Sequence, residues 1–339
     1  MRAVVCPRAP IAPTELVYTR NHPTPVSKLG QVLIRVRAYG LNRSELFTRQ
    51  GHSPGIQFPR VLGIECVGEV EDAGGGNWKE GDVVAAMLGG MGRQFDGGYA
   101  EFALVPHTSV SPPIKLPKDM TWAQFAAIPE TYLTAWGTLE GLRLQTQDTL
   151  LIRGGTTSVG LACAALAKSS LFSCARVIST TRSESKSRIM RECGVDDVIV
   201  DTSNSVLEAV NALTGNKGAD KCVELVGGPT LQDSCKAVGP DGVIGMVGCV
   251  SGEWTCKEFD YFASLAPRKH LTVFASPTVD VSTAPIQHIV DAVAQGELKA
   301  GVDKIFKMEE TGEAHAYMES NSAAGKVVCV VDWNDSNCT

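Results

Sequence analysis

The sequence predicts an α/β protein in two parts, a β-rich and partly open barrel followed by a doubly wound parallel sheet. Three observations carry this expectation. The chain has 339 residues, more than one hydrophobic core usually serves. Its first 125 residues alternate apolar and polar positions between glycine-rich turns, as in "QVLIRVRAYGLN", where Val32, Ile34 and Val36 share a face. From about Trp122 onward, short apolar runs alternate with helical patterns, the texture of parallel strands joined by crossover helices.

In the first part, "VGEVEDAG", "DVVAAM" and "YAEFALVP" read as further strands. In the second, strands are expected at Leu150–Arg153, Arg176–Thr180, Asp197–Asp201, Lys221–Val226 and Val243–Val247. A stretch "TVFASPTVDVS" leads to a helix near Pro285–Gly296, and "GKVVCVVDW" reads as a closing strand that rejoins the first domain. The expected division is therefore 1–125, 126–275 and a return segment 276–339, with the polar tail Asn334–Thr339 frayed.

The net charge of −6 offers no basic field for nucleic acid or an anionic membrane, and no arginine-rich run supplies one locally. No segment reaches the roughly 18 apolar residues of a membrane span, and "MRAVVCPRAP" is not a secretory leader. The eleven cysteines include no C-x-x-C pair, and Cys163, Cys222 and Cys249 lie in apolar runs, which argues against a disulfide scaffold. These features predict a soluble, cytoplasmic protein.

The stretch "TLLIRGGTTSVGLACAALAK", Thr149 to Lys168, points to the chemistry. A short apolar run passes through Gly154, Gly155 and Gly160 into an alanine-rich helical pattern, the way a buried strand hands over to a helix that holds a phosphate. Against G-x-G-x-x-G the middle glycine is Thr157, which restricts backbone approach but brings a hydroxyl that can donate to a phosphate oxygen. At the end of the next strand, "VISTTRSESK" places Ser179, Thr180, Arg182 and Lys186 with no acid before Glu184. A carboxylate there would bind a ribose 2′-hydroxyl and repel a 2′-phosphate, whereas hydroxyls and a guanidinium favour the phosphate, so NADPH is the expected cofactor.

Together with "GLNRSELFTRQG", "FPRVLGIECVGEV", "GGYAEFALVP", "AAIPETYLTAW", "LVGG" and "AAGKVV", this turn makes nearly the whole chain resemble the zinc-free branch of the medium-chain dehydrogenases and reductases, the quinone oxidoreductase or zeta-crystallin-like proteins. The resemblance implies a GroES-like β-rich catalytic domain, a Rossmann domain inserted before the C-terminal strand, and a cofactor in the cleft between them. It implies NADPH-dependent reduction of a quinone or of the activated C=C of a small hydrophobic enone or enal. A reductase dedicated to one biosynthetic pathway and a non-catalytic NADPH-binding, crystallin-like protein are the alternatives.

The resemblance also implies site residues. Asn42 falls near the nicotinamide and Thr134 is a hydrogen-bonding partner of the cofactor. The turn contributes Gly154, Gly155, Thr156, Thr157, Ser158, Val159 and Gly160, and Val226, Gly248 and Lys326 complete the cofactor set. Phe47 stands where many quinone reductases carry a tyrosine, and Tyr132 or Glu130 is the expected substitute, with Asn42 and Tyr132 as the catalytic pair. Zinc-dependent relatives place a Cys soon after the glycine matching Gly40 and a His directly before the glutamate matching Glu65. Here Leu41–Ser44 holds no Cys and Ile64 replaces the His, so no metal is expected. The resemblance implies a homodimer through an edge strand near Leu271–Ala275.

Overall fold

In the computed structural model, which describes residues 1–276 and 279–333, the chain divides into two units. One holds Met1–Leu133, Pro277–Gln295 and Ala300–Thr339 as far as these are described, and the other holds Thr134–Ser276 and Gly296–Lys299. The tail from residue 334 lies outside the described residues.

The first unit begins with β1 (Ala3–Cys6), β2 (Val17–Thr19), β3 (Gln31–Gly40), α1 (Arg43–Arg49), β4 (Arg60–Val61), β5 (Glu65–Asp72), β6 (Val83–Met87), β7 (Phe102–Pro106) and α2 (Trp122–Ala126). The next helix, α3 (Pro129–Gly141), has its residues divided between the units after Leu133. The second unit continues through β8 (Thr149–Arg153), α4 (Ser158–Lys168), β9 (Arg176–Thr181), α5 (Ser187–Glu192), β10 (Asp197–Val200), α6 (Leu207–Thr214), β11 (Ala219–Glu224), α7 (Gly228–Ala237), β12 (Val238–Met246), α8 (Tyr261–Leu265) and β13 (His270–Val273). The chain then adds α9 (Ile286–Ala294), β14 (Val302–Lys307), α10 (Thr311–Glu319) and β15 (Lys326–Val330) to the first unit.

Two-residue alternation makes β3 the spine of the first unit. Val32, Ile34 and Val36 are fully buried in its core beside Val70, Val84 and Val105. The sheet runs β14-β15-β3-β5-β6, with β7 also on β3, and a separate three-stranded sheet β2-β1-β4 leaves the barrel open. The closing strand β15 lies antiparallel to β3, with Val328 opposite Gly40 and Val330 opposite Ala38. That pairing brings Lys326, almost 300 residues away in sequence, next to the start of α1.

The position of α1 is set by a buried polar tie to α10. The Arg49 guanidinium donates to His315 Nδ1 at 3.3 Å, to the Ile11 carbonyl oxygen and to Glu319. His315 Nε2 faces the Tyr99 hydroxyl at 3.2 Å. Burial, with the neighbouring Arg49 charge, pushes the His315 imidazole down to about 3, so the ring stays neutral and Nδ1 can accept.

The second unit is a six-stranded parallel sheet in the order β10-β9-β8-β11-β12-β13. Its central strands β8 and β9 are buried over almost their whole length, as parallel strands covered on both faces are; Leu151, Ile178, Cys222 and Ile244 are completely buried in one core. Winding starts at β8 and proceeds outward in both directions. Strand β11 stops at Glu224, two residues before the expected end, because the Glu224 carboxylate accepts the N–H groups of Val226 (2.7 Å) and Gly227 (3.1 Å) and turns the chain. Among the described residues no helix is long and apolar enough to cross a membrane.

Candidate active site

The turn Gly154–Gly160 joins β8 to α4 where the strand order reverses, with β9 on one side of β8 and β11 on the other. Doubly wound sheets bind ligands outside the strand C-termini at this kind of position. Gly154 has φ +83°, a conformation that disfavours a side chain. Its N–H donates to the Thr180 hydroxyl at 3.2 Å, and that of Gly155 to the Thr180 carbonyl at 3.0 Å. A Cβ on Gly160 would lie 2.7 Å from the Gly154 carbonyl oxygen, and one on Gly155 would overlap the Ser179 hydroxyl. The N–H groups of Thr156, Ser158 and Val159 have no acceptor among the described residues. They stand at the start of an 11-residue helix, where unpaired N–H groups and the helix dipole favour an anion, so the turn fits a pyrophosphate.

Several hydroxyls expected on a ligand are used inside the turn instead. Thr157 is the N-cap of α4: its hydroxyl donates to the Gly154 carbonyl (2.9 Å) and accepts from the Gly160 N–H (3.0 Å). Its proton is committed to the protein. Ser179 is wholly buried beneath Gly155, and Thr180, 3 % exposed, holds Gly154. These two shape the turn from below rather than reaching a phosphate, because both are buried within β9, Ser179 against Gly155 and Thr180 against the Gly154 N–H. Arg182 and Lys186 lie on the segment that follows β9; Arg182 is exposed with no ion-pair partner among the described residues, and Lys186 is half-buried.

Val226 and Gly248 come together beside Leu225. The Gly248 N–H donates to the Glu224 carbonyl at 3.2 Å, and a Cβ on Gly248 would lie 3.1 Å from the Leu225 carbonyl oxygen. The buried Glu224 carboxylate also accepts from the hydroxyls of Thr230 (3.0 Å) and Ser234 (2.5 Å), which holds the Val226 turn rigid. Arg153, at the last position of β8, is completely buried between Asp201 and Asp233, each at 2.7 Å.

In the first unit the structure assembles Asn42 and Lys326 with two residues the sequence reading did not select, Glu45 and Glu65. Lys326 Nζ donates to Asn42 Oδ1 at 2.6 Å and pairs with Glu65 Oε1 at 2.6 Å. Asn42 Nδ2 donates to Glu65 Oε1 at 2.9 Å and, at 3.4 Å, to Glu45 Oε1. Glu65 Oε2 accepts the Glu130 N–H at 3.0 Å. Lys326 and Glu65 are each 1 % exposed and Glu45 2 %, while Asn42 is half-buried. Gly40 is required beside the pair, since a Cβ there would sit 2.5 Å from Glu65 Oε1 and 2.9 Å from the Ala126 carbonyl oxygen. The cue to this cluster was charge inside apolar strands: "GIECVGEV" and "GKVVCVV" bury an acid and a lysine, each of which calls for an opposite charge.

Lys326 therefore spends its ammonium on Glu65 and Asn42. Tyr132 is buried on α3, and its N–H donates to the Ile128 carbonyl at 2.8 Å. Thr134, also buried, falls in the second unit, where its carbonyl accepts from the Thr138 hydroxyl at 2.7 Å. Phe47 packs edge-on against His52. The Ile64 N–H donates to Glu45 Oε1 at 3.0 Å, and among the described residues no group of three or more His, Cys, Asp or Glu side chains could hold a metal ion.

This architecture, with a glycine turn opening a helix at the switch point of one unit and a buried polar cluster in the other, is that of a nucleotide-binding dehydrogenase. Residues 28–118 match the model of the alcohol dehydrogenase GroES-like domain, and residues 193–329 that of a zinc-binding dehydrogenase. The quinone oxidoreductases of Lama guanicoe and Homo sapiens are each 26 % identical over 314 residues, 91 % of this chain and 91 % of theirs. The crystal structure of an NAD-dependent alcohol dehydrogenase superposes with a TM-score of 0.84 at 29 % identity, covering 98 % of this chain and 100 % of that one. That of a 2-haloacrylate reductase gives 0.81 at 26 % identity, covering 97 % and 99 %. The chain belongs to the zinc-independent quinone oxidoreductase family of the medium-chain dehydrogenases and reductases.

Proposed function

We propose that this oxidoreductase uses NADPH to reduce quinones or the activated C=C of small α,β-unsaturated carbonyls, without a catalytic metal. The observation that carries the reading is the Asn42 amide, fixed by Lys326 and Glu65. Reducing an isolated ketone localises charge on one oxygen, which calls for a metal or a strong proton donor. Conjugate addition spreads that charge over an enolate, and one preorganised neutral donor is worth about 3–4 kcal/mol to it. Asn42 can hold that oxygen, while solvent supplies the proton. The nicotinamide, when bound, supplies the hydride. The 2-haloacrylate reductase, a structural neighbour, is named for an activated alkene of this kind.

The test uses NADPH deuterated at the transferred position, with an enal and its saturated analogue compared by mass spectrometry. Label at the β-carbon, with the saturated ketone left unreduced, is the expected result. Label at the carbonyl carbon, or equal turnover of the saturated ketone, overturns the reading in favour of an alcohol dehydrogenase.

NADPH preference rests on Arg182 and Lys186, now that Ser179 and Thr180 are accounted for inside the turn. Arg182→Ala is expected to weaken NADPH by about 1.5–3 kcal/mol, tenfold or more, and to leave NADH nearly unchanged. Fluorescence titration of both cofactors measures this; equal affinity of the unmodified protein for the two sinks the assignment. The same proposal includes a homodimer: among the described residues β13 is the edge of its sheet, all four of its residues are exposed, and no strand pairs with its outer side, which leaves that side open to a second copy.

A further inference from the structure

The cluster around Asn42 holds two buried carboxyl groups and one buried ammonium. Lys326 and the Glu130 N–H take up both oxygens of Glu65, which leaves Glu45 to be balanced by something else. Glu45 Oε1 accepts the Ile64 N–H, but its Oε2 is buried with no hydrogen-bond partner among the described residues. An ionised oxygen in that position is expensive, whereas a protonated carboxyl is tolerated. The amide orientation of Asn42 is set by the same groups. Reversing it would place the NH2 against the Lys326 ammonium and the carbonyl against Glu65. One N–H of Asn42 is thus committed to Glu65 at 2.9 Å, and the other meets Glu45 only at 3.4 Å, a weak contact.

We infer that Glu45 is a positioning residue for the reduction: while it carries a proton it leaves the second Asn42 N–H to the reacting carbonyl, and on losing the proton it draws that N–H back. The inference rests on the reductase reading above. An ionised carboxylate is a much stronger acceptor than a neutral one, so deprotonation converts the 3.4 Å contact into a charge-assisted bond that competes with substrate. Burial pushes the Glu45 carboxyl up to about 7; the Ile64 N–H and the Lys326 charge oppose the rise, and Glu65 adds to it. The titratable and charged groups facing Glu45 are Lys326 on β15, Glu65 on β5 and the buried Tyr99 ahead of β7, with Arg49 one turn further along α1.

The expected pH profile of kcat/KM falls about tenfold per unit above neutrality, and Glu45→Gln, whose amide cannot ionise, flattens that limb to less than about twofold between pH 7 and 9. A limb of unchanged slope in Glu45→Gln overturns the inference. A second measurement needs no turnover. In the unmodified protein the Asn42 side-chain amide resonances, identified by their loss in Asn42→Asp, are expected to shift with a midpoint near neutrality, and to stay fixed in Glu45→Gln. Resonances that do not move with pH overturn the inference even in an active enzyme. Absence of turnover with every quinone, enal and enone overturns the reductase reading instead, and the resonance titration then decides the role of Glu45 alone.

Discussion

Lys326→Met is expected to lower the stability of the protein by about 3–5 kcal/mol, because it leaves a buried carboxylate without its counter-charge. Glu65 is 1 % exposed and has no solvent to turn to when the ammonium at 2.6 Å is removed. The double variant Glu65→Gln/Lys326→Met removes both charges and should recover part of the loss. Urea denaturation of the three proteins at pH 8 checks this. A single variant within about 1 kcal/mol of the parent at pH 8, or a double variant no more stable than the single one, contradicts the account of the pair.

Gly155→Ala is expected to weaken nucleotide binding at least about tenfold and to cost about 1–3 kcal/mol of stability through overpacking. Gly155 is not in the left-handed region, so the objection to a methyl group is space alone. The added carbon would overlap the Ser179 hydroxyl and sit 3.1 Å from Ser179 Cβ and 3.0 Å from Met190 Cε. Relief would push the turn outward and misplace the Thr156, Ser158 and Val159 N–H groups. Removing the obstruction with Ser179→Gly in the same chain should restore much of the binding, less the cost of a glycine inside a strand. NADPH titration of the single and double variants is the measurement. Binding within about threefold of the parent in the single variant, or no recovery in the double, refutes the packing explanation.

The class of the protein was legible because its signals are local. Thr149–Lys168 shows strand, turn and helix within twenty consecutive residues, and β8 and α4 form there. Alternation along Gln31–Gly40 is a two-residue pattern that needs no knowledge of partners. The absence of a Cys from Leu41–Ser44 and of a His from position 64 is likewise visible position by position.

The uses of individual polar atoms were decided by the tertiary structure. Thr157 and Ser179 carry the hydroxyls a phosphate site invites, but an N-cap claims one and the packing of β9 under Gly155 claims the other. Residue type names a donor; the fold determines whether its proton is already given away. Glu45, Glu65 and Lys326 lie up to 281 positions apart in the chain, and only the antiparallel pairing of β15 with β3 and of β3 with β5 brings them to Asn42. No periodicity encodes such a meeting. What sets it is the cost of burying charge: an acid and a lysine each placed inside an apolar strand must find each other, and where they do so fixes which protons remain for chemistry.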